Sequence, residues 1–204
     1  MQLVVLTPDT DLPGEQETVN SLFHMGLQRL HLRKPAYDIA AYRAYIAGID
    51  SAYHSRIIIH GAYPLYHALR LGGIHLRSAI RHEPATLQQI KDIPYSAIST
   101  SFHSWDEILQ NHTPYGNVFI SPLYDSISKA GYSAAVAPEG ISGVKESLAN
   151  GGRYCPAITG LGGIDRSNIP TLQRLRYDGA AVLGALWQSK DPIAIFAALQ
   201  AIIK

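Results

Sequence analysis

The chain has 204 residues, 17 Lys+Arg against 16 Asp+Glu, a single cysteine and a formal charge of +1 with histidine neutral. That balance excludes the basic footprint of a nucleic-acid binder, and the lone Cys155 excludes an intrachain disulfide framework. The longest apolar run, around RIIIHG, is far below the ~20 residues of a membrane span. With 47 % hydrophobic and 16 % charged residues, one globular domain over residues 1–204 is expected. The start MQLVVLTPDT carries no basic segment or small-residue cleavage site, so a reducing, cytoplasmic setting is the expectation.

Short β-branched runs recur along the chain. They are LVVLT (Leu3 to Thr7), RLHLR (Arg29 to Arg33), RIIIH (Arg56 to His60) and GIHLR (Gly73 to Arg77), then YSAIS (Tyr95 to Ser99), NVFIS (Asn117 to Ser121), PAITGL (Pro156 to Leu161) and AAVLG (Ala180 to Gly184). Between them lie segments with helical spacing, as in EQETVNSLFHMG, where Val19, Leu22, Phe23 and Leu27 share a face. Helix starts are expected at Asp38, Ser104, Ser167 and Asp191-Pro192, and helix ends near Gly26, Gly48, Gly72 and Gly116. Eight strand-helix repeats predict an α/β fold, a closed (β/α)8 TIM barrel, with an open doubly wound sheet as the alternative.

In such folds the chemistry sits at the carboxyl ends of the strands. Alternation puts His31 and Arg33 on one face of the second strand, opposite Leu30 and Leu32, and His75 and Arg77 on one face of the fourth. If the aliphatic face packs on the helices, both His/Arg pairs point into the barrel with the arginines nearer the mouth. Arg33, Arg77 and Lys129 then suit an anion, and planar guanidinium forks suit phosphate. The bland alternative for any one of them is a rim salt bridge or a snorkelling side chain.

ITGLGGID (Ile158 to Asp165) and AAVLGAL form a second constellation. Glycine amides after the seventh and eighth strands make Gly162, Gly163 and Gly184 phosphate candidates, although a Gly-Gly pair also marks a simple turn. A third is SPLYDSISKAGY (Ser121 to Tyr132), where Ser126 and Ser128 precede Lys129 and could donate together to one oxyanion, or form only a solvated serine loop. The nine histidines show no HxH or HExxH spacing, so no metal site is expected, and His24, His54, His67, His82 and His112 read as surface or helix residues. Cys155, at the amino end of the seventh strand, reads as a buried small apolar residue.

The order LHLRK, IIIHG, GIHLRS, ISTSFHS, ISPLYDSISK, GLGGI and AVLGAL resembles the thiamine phosphate synthase family and its relatives, the TenI-like thiazole tautomerases, over nearly the whole chain. The resemblance implies a (β/α)8 barrel that joins a pyrimidine methyl diphosphate to a thiazole phosphate with loss of pyrophosphate, using Mg2+. By position it implies that Arg33 holds pyrophosphate and that Ser101 and Lys129 are site residues. It also implies that Gly162, Gly163 and the backbone at Leu183-Gly184 cradle the thiazole phosphate. Small-molecule phosphates are the expected partners, with no nucleic acid or membrane, and a homo-oligomer is compatible.

The chain departs from the synthase pattern where the metal ligands belong. His60-Gly61 stands for Asn-Asp, and Arg77-Ser78-Ala79-Ile80 for Gly-Gln-x-Asp, so both magnesium carboxylates are missing. Pro35 replaces the lysine two after Arg33, and Lys34 falls on the opposite face. His31 and the Gly61 position look more like the metal-free tautomerase branch, in which His31 or His103 would move a proton near neutral pH. Pro122, where that branch has its histidine, follows the synthase. The readings are therefore a synthase, a tautomerase, a non-catalytic binder of thiazole phosphate, or another phosphate-handling barrel such as an isomerase of aromatic amino-acid synthesis.

Overall fold

A computed structural model describes residues 1–127 and 133–203. The strands are β1 (Gln2–Leu6), β2 (Arg29–Leu32), β3 (Ile57–Ile59), β4 (Gly73–Leu76), β5 (Ile98–Phe102), β6 (Asn117–Ile120), β7 (Ala157–Gly160) and β8 (Gly179–Val182). They pair in parallel in chain order, and β8 returns to β1 with Gln2 opposite Gly179, which closes the barrel and removes the open-sheet alternative. The helices are α1 (Glu15–His24), α2 (Ile39–Ala47), α3 (Leu65–Ala68), α4 (Pro84–Ile90), α5 (Trp105–Gln110), α6 (Gly140–Asn150), α7 (Ile169–Arg174), α8 (Gly184–Trp187) and α9 (Pro192–Ile203).

The period-two pattern divides two cores. Leu30, Leu32, Ile57, Ile59, Ile74 and Leu76 face outward, where they join Val19, Leu22 and Phe23 of α1 and Phe196 and Leu199 of α9 in the main core. Inside the barrel, Val4, Leu6, Phe119 and Ala181 form a small apolar cluster. Apart from Ile58, the other buried inward positions are mostly polar, among them His31, His75, Ser99, Asn117 and Thr159.

Three helix starts follow the side-chain chemistry expected of them, with Asp191 accepting from the Ala194 amide at 2.9 Å ahead of α9. Asp38 accepts from the Ala41 amide and Ser104 from that of Glu107. The structure corrects three local expectations. Tyr95–Ala97 form a 3-10 turn after Pro94, so β5 begins at Ile98 and carries Ser101 within it. The residue before α7 is Asn168, because Ser167 is drawn into a turn closed by the Asp165 carboxylate. Cys155 is exposed, in the loop ahead of β7, with Pro156 taking the buried place.

Candidate active site

A cavity of about 600 Å³ opens at the carboxyl ends of the strands. On one side stand Arg33 after β2, His60 after β3, and His75 and Arg77 of β4 with its following loop; on the other are Gly162 and Gly163 after β7 and Leu183-Gly184 after β8. Because β3 and β7 lie four places apart in an eight-stranded ring, these two groups face each other across the mouth. Ser101, His103 and Ser126 also line it.

The cationic side is more balanced than the residue types suggest. Arg33 forms an ion pair with Asp9 of the β1–α1 loop. Thr7 holds the base of this arrangement, accepting from the Arg33 amide at 2.8 Å and donating to the Arg33 carbonyl at 3.0 Å. Arg77 makes no ion pair among the described residues and is exposed. Ser128 and Lys129 lie outside the described residues.

Gly162 and Gly163 have φ of +98° and +61°, a region L side chains avoid. A Cβ on Gly163 would meet the Asp125 carbonyl at 2.2 Å, and one on Gly162 would meet Pro122 Cα at 2.8 Å. Their backbone must therefore press against the β6–α6 loop, which accounts for both glycines as packing and turn residues. That conformation also leaves their amides without a backbone acceptor among the described residues, at the cavity wall. The turn reading of the pair holds, and those amides leave the phosphate reading open to proposal.

Three imidazoles from consecutive strands meet beneath the mouth. His31 Nδ1 lies 3.0 Å from His60 Nε2, and the His60 ring stacks on His75 at 4.2 Å. Ser99 Oγ gives its one hydrogen to the Ile74 carbonyl at 3.2 Å, so at 2.9 Å from His75 Nδ1 it must accept. His75 therefore carries its proton on Nδ1, and its Nε2 accepts from Ser101 Oγ at 3.0 Å. Burial, then neighbouring positive charge, pushes His75 down to about 3. Burial and the adjacent rings push His31 and His60 well below the ordinary imidazole range. All three are uncharged at neutral pH.

This corrects the expected role of His31. It is fully buried, does not line the cavity, and burial removes it as an acid or base near pH 7. His103 is placed differently: exposed at the cavity, its Nδ1 lies 3.0 Å from the Ser121 carbonyl. A carbonyl only accepts, so Nδ1 is the donor and Nε2 of a neutral ring is left to accept.

Lys34 points away from the cavity, as alternation requires. Its ammonium is buried against Glu15 at 2.8 Å, with the Thr10 carbonyl at 3.0 Å. Glu15 also accepts from Tyr45 Oη at 2.6 Å and from the Leu12 amide. This network ties α1 and the β1–α1 loop, which carries Asp9, to β2.

The magnesium ion implied by the resemblance does not fit the residues present. Gly61 and Ile80 offer no side-chain oxygen, and Asp9 is the only carboxylate lining the cavity among the described residues. Asp9 is committed to Arg33, and Asp125, exposed outside the lining, accepts from the Ala134 amide. Sequence reasoning missed the triple imidazole contact. The available signal was one histidine near the end of each of three consecutive strands, LHLR, IIIH and GIHL, rather than any spacing within a segment.

A family model described as thiamine monophosphate synthase matches residues 3–186. A thiamine-phosphate synthase from Leuconostoc citreum (strain KM20) is 25 % identical over 146 residues, covering 72 % of this chain and 66 % of that protein. The chain thus spans just under two thirds of that relative's length. The structure of a thiamine phosphate pyrophosphorylase from Bacteroides thetaiotaomicron is 28 % identical, with a TM-score of 0.78 and coverage of 100 % of this chain and 98 % of that one. A thiamine phosphate pyrophosphorylase from Pyrococcus furiosus, 18 % identical, shares the fold at a TM-score of 0.75 over 99 % of this chain and 95 % of that one.

Proposed function

The chain belongs to the thiamine monophosphate synthase family, and on that premise we propose that its cavity joins a thiazole phosphate to a pyrimidine methyl diphosphate with release of pyrophosphate. The observation that supports this most is the presence of two anion-binding ends across one cavity: guanidinium groups on the β2 and β4 side and glycine amides on the β7 and β8 side. The Gly162, Gly163 and Leu183-Gly184 backbone holds the thiazole phosphate. Arg33 and Arg77 hold the diphosphate, and Ser101, Ser126, Ser128 and Lys129 complete its donors.

In the reaction the bond between the methylene carbon and the diphosphate oxygen breaks, the electron pair leaves with pyrophosphate, and the thiazole supplies the pair for the new bond. Arg77, without an ion pair among the described residues, and Arg33, once its carboxylate partner gives way to the diphosphate, stabilise the departing charge. The residues do not provide a carboxylate site for Mg2+, so no step is assigned to it. Incubating the purified protein with both substrates, with and without magnesium, tests the reading; formation of thiamine phosphate supports it, and substrate binding without product removes it.

One observation favours a second reading. His103 presents an accepting Nε2 at the cavity, which suits moving a proton on a thiazole carboxylate phosphate, the tautomerase reaction. Deuterium exchange into that compound, lost in His103→Ala, would favour it.

A further inference from the structure

At and just beneath the floor of the cavity lie three nitrogen donors and, among the described residues, no carboxylate, a combination unsuited to magnesium and suited to a different ion. One ring nitrogen each from His31, His60 and His75 lies within 4.8 Å of the other two. The rings come from β2, the end of β3 and β4, and so converge through the parallel pairing of these three neighbouring strands. His75 has the arrangement of a metal-ligating histidine: Nδ1–H is held by the Ser99 hydroxyl, itself anchored to the Ile74 carbonyl, and the Nε2 lone pair faces the cavity side, where Ser101 now meets it. His31 Nε2 is buried without a hydrogen-bond partner, so hydrogen bonding alone does not account for placing imidazole here.

We propose that His31, His60 and His75 bind one divalent ion of the nitrogen-seeking class, such as Zn2+ or Co2+, leaving a coordination position open to the cavity. Imidazole donors favour these ions, whereas magnesium calls for oxygen donors. A site with three protein ligands and an open fourth position is the pattern of reactive rather than structural zinc. His60 is the adjustable ligand. It is the least buried of the three and stands at a strand end, so its ring, now stacked on His75, is the one free to reorient toward the other two donors. Arg33 and Arg77 stand above, but Asp9 neutralises the first, and an anionic ligand in the open position would lie between the ion and the second.

The proposal does not depend on which reaction the cavity performs, so binding is measured without substrate. Tag-free, metal-stripped protein is titrated with Co2+, read by its d–d absorption, and with Zn2+ and Mg2+, read by calorimetry. One equivalent of Co2+ or Zn2+ per chain is expected, with no heat from Mg2+. His60→Ala should lower Co2+ affinity by about a hundredfold or more, since even outer-shell changes cost 10–100-fold, while His103→Ala should leave it unchanged. Where a variant melts early, the wild-type protein decides alone: Zn2+ must shift the ring 15N resonances of His31, His60 and His75. No binding, binding retained in His60→Ala, or shifts confined to exposed histidines overturns the assignment.

Discussion

Lowering the pH from 7 to 5 is expected to destabilise the protein through its buried imidazoles before any ordinary carboxylate titrates. His75 is 3 % exposed, and its value falls from 6.5 to about 3, so the folded state refuses a proton that the unfolded chain accepts. For a depressed value the stabilisation is complete above the unfolded pKa of 6.5 and is lost as the pH falls from there towards 3. At about 1.36 kcal/mol per pH unit and proton, His75 alone should cost about 2 kcal/mol at pH 5 and about 3 kcal/mol at pH 4. His31 and His60 shift in the same direction, so the slope between pH 6 and 5 should exceed that of a single proton. Against a typical stability of 5–15 kcal/mol, that is enough to bring the protein near unfolding by about pH 4. Urea denaturation of metal-free protein at steps from pH 7.5 to 4.5 gives the slope directly, and His75→Gln should reduce it by about one proton. A stability that is flat between pH 6.5 and 5 would show that the rings take up protons in the folded state, and would refute the uncharged floor.

Three further outcomes are expected. Lys34→Met should destabilise by about 3–5 kcal/mol because it strands buried Glu15, and Glu15→Gln combined with Lys34→Met should recover most of the loss in the same denaturation assay. Arg33→Ala should weaken diphosphate binding by about 1.5–3 kcal/mol while changing thiazole phosphate binding less; equal losses in calorimetry would remove the division between the two ends of the cavity. Omitting magnesium should change turnover less than tenfold, measured without a chelator so that any nitrogen-bound ion stays in place; a hundredfold fall would reveal an oxygen-ligand site that the described residues do not provide.

The barrel was legible because each link in it is local. Alternation alone placed Leu30 and Leu32 against the helices and His31 and Arg33 inside, and it sent Lys34 to the opposite face, where the structure finds it. The order of seven motifs pointed to the family that the match over residues 3–186 shows. What could not be read was pairing between distant segments. For Arg33 a rim salt bridge is legible as an alternative to anion binding, but its partner Asp9, 24 residues away, is known only once the β1–α1 loop is placed. His31 reads as a titrating acid or base until closure of the barrel buries it against two other rings. Tyr95–Ala97 has strand composition, yet Pro94 and the turn it begins displace β5 by three residues. Cys155 reads as buried because it adjoins a strand, but the strand starts two residues later.

The vertical order of side chains along β2 and β4 explains how one cavity can orient an amphiphilic ligand. Arg33 stands two residues above His31, and Arg77 two above His75, so each strand carries an uncharged ring below and a guanidinium at the mouth. The positive charge above disfavours protonation of the rings below, adding to the effect of burial, as the influence of Arg33 on His75 shows. In the metal-free protein the floor is thereby held neutral, with Phe119 against His31 and His75, and offers flat surfaces and hydrogen bonds without charge. A ligand with a heteroaromatic ring and an anionic tail is favoured ring-down and tail-up; the reverse pose would bury its anion beside uncharged rings and leave the guanidiniums over an apolar group. Replacing His75 by a carboxylate would invert this gradient, placing a negative charge beneath the arginines and drawing them inward. The imidazole floor and the cationic mouth therefore act together, and neither residue type at these strand ends can be exchanged without changing the orientation the other imposes.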